Sequence, residues 1–464
     1  MKSLYKFRFY LTCLIVSLYI LSCKDFVEID PPNSRVIGST VFENDRLATS
    51  AIEGVYHRMF DSGNFAGGGQ WSVTTVAGLS ADEFEVNPFS SSLQEFYRCD
   101  IDPSNPANLA LWSSAYSTIY MVNAVMEGLK SSSVITPETK KQLEGEARFV
   151  RAFSYFYLVN LFGDVPLIIT TDYRVNAKAL QVSPDDIYQA IINDLEHSRQ
   201  LLDDTYRNSE RTHPNRLVAS ALLARVYLYR QEWSRAADLA TELIGSTDTY
   251  SLAEDINDVF LANSSEAIWQ IAPTNVGNTN EGNMFILTSS PVSSPWNPVY
   301  LKEELVSGFD NHDKRLLHWI GTFESNGTTF YYPFKYKIRL SSGQPTEYAT
   351  VLRFAEQYLI RSEARARMGD IPGALADLNL IRNRSGLENY TGNSEQELLA
   401  AILKERRKEF FSEWGHRWLD FKRLSLANDL LSPDKEGWRT TDVLYPIPQR
   451  ELDKAPTLNQ NSGY

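Results

Sequence analysis

The stretch from Arg148 to Ile168, Arg-Phe-Val-Arg-Ala-Phe-Ser-Tyr-Phe-Tyr-Leu-Val-Asn-Leu-Phe-Gly-Asp-Val-Pro-Leu-Ile, constrains the fold more than any other part of the chain. Phe149, Phe153, Phe156 and Leu161 recur at helical spacing, and Val150, Tyr157 and Val159 widen the apolar stripe until the helix is nearly all buried. A helix of that kind belongs at the centre of a body. Gly163 offers the left-handed residue that ends a helix and Pro166 forbids its continuation, so the helix should stop at or near Phe162 and leave as a short extended run. Arg148 and Arg151 lie on it with Glu144 one turn before Arg148, a pairing that lets a guanidinium enter the core with its charge answered.

The chain has 464 residues, 43% of them hydrophobic, enough for one large or two ordinary domains. Its net charge is -13, and losing Lys2, Lys6 and Arg8 with a leader that has no acids takes it to -16. That argues against nucleic acid, which needs a basic footprint. A basic start and an apolar run from Phe9 to Leu21 read as a signal peptide over residues 1–22, too short for the helix of about 20 residues that crosses about 30 Å of hydrocarbon. The run ends Ile20-Leu21-Ser22-Cys23, the shape of a lipobox, so Cys23 is the expected lipidation site. Residues 23–40, with Pro31-Pro32, Asn33, Gly38 and Ser39, then form a lipidated tether. With Cys23 acylated, Cys99 has no disulfide partner, and stability must come from packing.

The body should run from 41 to 464, mainly α. A first helix is expected near Asp45 to Met59, a second over Trp71 to Leu79 and a strongly periodic one over Leu109 to Lys130, with Trp112 on its core stripe. Gly67-Gly68-Gly69 reads as a flexible loop, since the Lys-Ser/Thr of a phosphate loop is absent. Phe84 to Asp102 mixes polar and aromatic residues and reads as an exposed loop. In Leu217 to Ile244, Ala224 and Ala236 lie twelve apart around a turn at Gln231-Glu232; in Leu352 to Ile381, Ser362 and Ala374 repeat that spacing around Gly369-Asp370. Small residues there let antiparallel helices approach, the physical content of a tetratricopeptide pair, here imperfect. Between the pairs, 272–343 is a loop-rich insertion in which Thr328 to Leu340 alternates like a strand or hairpin.

Three stretches share a resemblance. The central helix, the run Glu405-Arg406-Arg407-Lys408-Glu409-Phe410 continuing to Gly415-His416-Arg417-Trp418-Leu419-Asp420-Phe421-Lys422-Arg423, and the terminal Tyr445-Pro446-Ile447-Pro448 through Tyr464 resemble the signatures of the SusD/RagB family, with Ser462 where that family often has Pro. The resemblance implies a SusD-like fold, its N-terminal part about 41–250 and its C-terminal part about 251–464. It also implies a lipoprotein facing the cell surface on the outer membrane of Bacteroidetes, where Lys24-Asp25 after the cysteine resembles a surface-export signal. Such a protein performs no chemistry: it holds a nutrient oligomer, most often an oligosaccharide, against a SusC-like TonB-dependent transporter. RagB-like members handle peptides, so a peptide cargo stays open, as do a glycoside hydrolase and a repeat scaffold binding only protein.

The residues agree with a binding protein. No H-E-x-x-H, G-x-S-x-G, G-K-[ST] or paired C-x-x-C is present, and of six scattered histidines only His312 and His318 fall close together, at a spacing that shares no helical face. Asp82-Glu83, Glu303-Glu304 and Asp310 to Asp313 read as caps and solvated faces, with calcium an alternative for the last group. Glu405 to Lys408 reads as internal ion pairs, and Trp414, Trp418 and Phe421 as one apolar stripe. Aromatic residues make up 12% of the chain, and those in loops, Phe84, Phe89, Trp296, Tyr331 and Tyr332, have no helical stripe to explain them. A sugar ring lays its C–H face on a flat aromatic platform and offers its hydroxyl rim to amides. The candidate ligand-binding residues are therefore Trp296, Asn297, Asn87, Phe89, Phe84 and Tyr331.

Overall fold

In the computed structural model, which describes residues 41–60, 65–274 and 277–464, the central stretch forms the helix Pro137–Phe162. Its first turn is held by the Thr136 side chain, which accepts from the Thr139 amide, and by Pro137 at the position where a missing N–H costs nothing. From Phe149 to Phe162 every residue but Asn160 is buried. The Phe153 ring meets those of Tyr157 at 5.1 Å, Trp269 at 5.2 Å, Trp414 at 5.5 Å and Phe65 at 5.9 Å, so parts of the chain far apart in sequence converge on one side chain. Gly163 ends the helix with φ +76° but ψ -118°, outside the left-handed helical region and open to glycine.

Two guanidiniums tie this helix to both neighbours. Arg148 pairs with Glu144 at 2.6 Å, and the larger partner is Asp194, on the helix Pro184–Leu201, which takes Arg148 at 3.1 Å and Arg151 at 2.7 Å. Arg151 also donates to Asn123 on the helix Pro106–Ser131 at 2.8 Å. Trp112 lies in the core of that helix, 3% exposed.

The two helix pairs are Arg216–Tyr229 with Trp233–Ile244, and Phe354–Arg367 with Ile371–Arg384. Ser362 donates to the Ala374 carbonyl at 2.7 Å, which requires small groups at that crossing. Trp233–Ile244 packs on Phe354–Arg367, so pairs separated by the insertion are neighbours in space. A fully buried bidentate bond between Arg225 and Glu356, 2.6 Å on each arm, spans the seam.

Eight short strands complete the described body: β1 (Phe84–Val86), β2 (Val165–Pro166), β3 (Gln181–Val182), β4 (Ala267–Ile271), β5 (Val299–Leu301), β6 (Ile320–Ser325), β7 (Thr328–Pro333) and β8 (Ala349–Arg353). β4 and β8 form a buried antiparallel pair behind the central helix, β2 pairs with β3, and the order β1-β5-β7-β6 makes a four-stranded antiparallel sheet that joins β1 to three strands of the insertion. Of the stretch expected as a strand or hairpin, Thr328 to Leu340, only β7 is a strand; its hairpin partner β6 precedes it, across a turn at Asn326-Gly327, both at positive φ. Phe84 to Asp102 is not an exposed loop: it holds β1 and the helix Ser91–Arg98, with Phe84, Leu93 and Phe96 wholly buried. Gly67 to Gly69 are likewise buried, and Gly68, at φ +71°, leaves room for the Glu281 carboxyl that a Cβ would strike.

The Glu405 to Lys408 charges are paired, but with other elements and not along their own helix, Glu395–Phe410. Glu405 faces Arg315 at 2.6 Å, Arg406 faces Asp420 at 2.8 Å and Lys408 faces Asp310 at 2.9 Å. Glu409, wholly buried, takes Arg353 at 2.5 Å, Arg315 at 2.9 Å and Arg384, and these guanidiniums hold its carboxyl well below the usual range against the opposing cost of burial. Trp414, Trp418 and Phe421 are core residues.

Candidate ligand-binding face

β1 and β5 pair with Val86 opposite Val299, so the loop that leaves β1 and the loop that enters β5 emerge side by side. Asn87 fastens them. Its backbone N–H donates to the Pro298 carbonyl at 2.6 Å, and its side-chain amide donates to the carbonyls of Pro291 at 2.9 Å and Ser294 at 3.0 Å. The other side-chain atom, Oδ1, accepts from the Phe89 amide at 2.8 Å and turns the chain outward there. On the facing loop Ser294 does the same, its hydroxyl accepting from the amides of Trp296 at 3.3 Å and Asn297 at 3.4 Å.

The result is two large rings standing in solvent on adjoining, fastened loops: Phe89 is 85% exposed and Trp296 80%. Neither ring is covered by its own loop. The remaining four candidates have other places. Phe84 is wholly buried and stacked on Phe285 at 5.4 Å, so its ring has no face for a ligand. Asn87 is 2% exposed and Asn297 1%; Asn297 spends its amide on the carbonyls of Asn283 at 3.0 Å and Met284 at 2.7 Å. Both asparagines hold the loops and neither offers a free edge. Tyr331, half-buried, points to the core side of the sheet opposite Leu301.

Among the acids singled out from the sequence, Asp82, Asp310 and Asp313 are paired with cations. Asp82 pairs with Arg407 at 2.8 Å and Arg417 at 2.9 Å, while Glu83 beside it is not a solvated carboxylate: burial, with Asp82 adjacent, pushes it up to about 7. Asp313 caps the helix Lys314–Trp319 and pairs with Arg315 at 2.9 Å, and Asp310 is taken by Lys408, so the calcium alternative loses its two acids to cations. Among the described residues no group of three or more His, Cys, Asp or Glu could hold a metal ion, and no helix is long and apolar enough to cross a membrane.

Comparison with known proteins accounts for this architecture. Residues 26–228 match a family described as starch-binding and associating with the outer membrane, and residues 324–443 match the SusD family. SusD-like protein P2 of Formosa agariphila is 25% identical, the alignment covering 98% of this chain and 100% of that one. Among solved structures, a SusD superfamily protein from Bacteroides vulgatus superposes with a TM-score of 0.79 at 21% identity, over 90% of this chain and 99% of the other. Surface glycan-binding protein A from Bacteroides thetaiotaomicron, solved in complex with laminarihexaose, superposes with a TM-score of 0.75 at 21% identity, over 90% and 99%. With both halves of the body matched in order, and with a mainly helical fold shared along nearly its whole length, the chain belongs to the SusD/RagB family.

Proposed function

We propose that this chain is a cell-surface binding lipoprotein that captures an oligosaccharide and passes it to a SusC-like TonB-dependent transporter in the outer membrane. The observation that carries the binding half is the pair Trp296 and Phe89, exposed on loops that Asn87 fastens together. Rings fixed in place before the ligand arrives lose little freedom on binding, and a shallow platform still lets go, as delivery requires. The carbohydrate reading is supported by the glycan-binding relatives of the same fold, and the outer-membrane reading by the description of the matched family. The anchor at Cys23 lies outside the described residues and rests on the sequence. The reading assigns no catalytic residue.

Trp296→Ala tests it. Isothermal titration with the best glycan from an array should show affinity weaker by about 1 to 3 kcal/mol, the range for a stacked ring, with the melting temperature nearly unchanged. Lost stability with retained affinity would show that Trp296 serves its loop and that ligand binds elsewhere. Binding of peptides and of no glycan would give the platform to a RagB-like cargo.

A further inference from the structure

Residues 169–180 are held by several hydrogen bonds yet add nothing to the core. Glu127, on the helix Pro106–Ser131, accepts from the Thr170 hydroxyl at 2.7 Å and the Thr171 amide at 2.9 Å. The Asn176 side chain donates to the Thr170 carbonyl at 2.9 Å, Asp172 caps the turn Tyr173–Asn176, and Thr457 donates to the Ala179 carbonyl at 3.2 Å. The segment nonetheless turns its apolar side chains out: Tyr173 is 78% exposed, and Ile169, Val175 and Leu180 are each more than half exposed. Tyr120 joins them from the helix beneath. It stands one turn from Tyr116, which donates to the Pro166 carbonyl at 2.8 Å, and one turn from Asn123, which donates to the Ile168 carbonyl at 3.1 Å. Among the described residues, none of these five belongs to the hydrophobic core or packs against it.

We infer that this patch rests on the membrane surface, with Ile169, Tyr173, Val175 and Leu180 entering the headgroup layer of anionic lipids while cations at its rim meet the lipid phosphates. Aromatic and aliphatic side chains set beside basic ones are what that layer binds. Lys130 and Lys178 are exposed with no side-chain partner among the described residues, and Lys140 donates only to the Ser132 carbonyl. The acids of the segment and of the hollow beside it are occupied: Asp172 by Arg174 at 2.7 Å, Glu144 by Arg148 at 2.6 Å, Glu127 by the two threonines. Lys130, Lys140 and Ile169 line that hollow, whose volume of about 450 Å³ has room for a headgroup phosphate. On a chain of net charge -13, a local excess of cations fits a negative partner. Position agrees. The body begins on this side, where Phe42 lies so close to Gly128 that a Cβ there would strike its ring, and where the Phe42 carbonyl accepts from the Ser132 hydroxyl at 2.8 Å. The sequence before it carries the proposed lipid at Cys23, so the inference rests on the outer-membrane reading above. A contact of this size orients an anchored body and does not hold it alone.

The test uses the whole lipidated chain in vesicles of phosphatidylethanolamine and phosphatidylglycerol, with a fluorophore on Ala177→Cys or, as a control, on Leu380→Cys of the second helix pair. Cys99 is buried, so the introduced thiol takes the label. Nitroxide-bearing lipid should quench the label at 177 at least about threefold more than the label at 380. Tyr173→Ser combined with Val175→Ser and Leu180→Ser should remove most of that difference, and Lys130→Gln with Lys178→Gln should reduce it by about twofold at low salt. Thermal melts of both variants should match the parent, because every substituted side chain is exposed. Equal quenching at the two labels overturns the contact and leaves the anchor standing. A label at 177 that is shielded only when a β-barrel protein is bound gives the patch to a protein and overturns it too. A chain that never enters the vesicles overturns both the anchor and the contact that depends on it.

Discussion

Glu281 is a carboxyl 4% exposed beneath Gly68, with one oxygen lacking a hydrogen-bond partner among the described residues. Burial, with Glu347 nearby, pushes it up to about 7. A raised carboxyl pKa means that between about 4.5 and 7 the unfolded chain has released a proton that the folded chain still holds, so stability falls as pH rises through that window and is level above it. Glu281→Gln should therefore match the parent near pH 4 and exceed it at pH 8, by at most about 3 kcal/mol for a displacement from 4.5 to about 7. Urea melts at the two pH values check it; a difference independent of pH would mean the carboxyl never titrates in this range. Residue by residue, the candidate site was legible where the chain's own neighbours decide exposure. Pro295 and Pro298 around Trp296 forbid a regular element, and the ring is in solvent. Phe84, Asn87 and Asn297 were not legible, because what buries them is the pairing of β1 with β5, more than 200 positions along the chain, and nothing local announces it.

The helix Pro137–Phe162 shows what an element gains from being buried on all sides. Phe153→Ala would remove a ring in contact with five others, and truncation of a buried Phe costs about 3 to 5 kcal/mol, a large share of the 5 to 15 that holds a typical domain. A clear fall in melting temperature by calorimetry is expected; an unchanged melt would remove this helix from the centre. Helices of this kind could be read from the chain because their period and terminal glycine are local, and Gly163 marks the end directly; the start at Thr136 and Pro137 went unread although its cap is equally local. The helix pairs were readable for the same reason, through Ser362 and Ala374. Strands of two to six residues give periodicity too little length, which is how β1 came to resemble loop. Asn326-Gly327 is a local turn signal that fixes β6-β7, and a reading that starts at Thr328 begins just past it and so misses β6. Partners of charges stayed hidden as well: the helix Glu395–Phe410 offers ion pairs to itself, and burial against Arg315, Asp420 and Asp310 overrides them.

At the scale of the whole molecule, one experiment separates the proposed anchor from the proposed transporter contact. Cys23→Ala should leave a folded protein that no longer partitions with membranes into detergent, yet that still recovers a β-barrel partner when mixed with solubilised outer membranes. A variant that stays membrane-bound argues against lipidation; loss of the barrel together with the lipid argues that the two were joined only through the bilayer. The cluster at Glu409 has a consequence of another kind. Its guanidiniums come from the insertion at Arg315, from β8 at Arg353 and from the second helix pair at Arg384, so it is complete only when all of these have arrived. Interactions formed that late slow escape from the native state more than they speed arrival. Glu409→Gln should then raise the unfolding rate in stopped-flow denaturation and leave the refolding rate nearly unchanged, since three buried cations lose their common partner. A protein with that response would keep its shape by the height of the barrier out, so that its working lifetime is set by a rate of unfolding and not by an equilibrium.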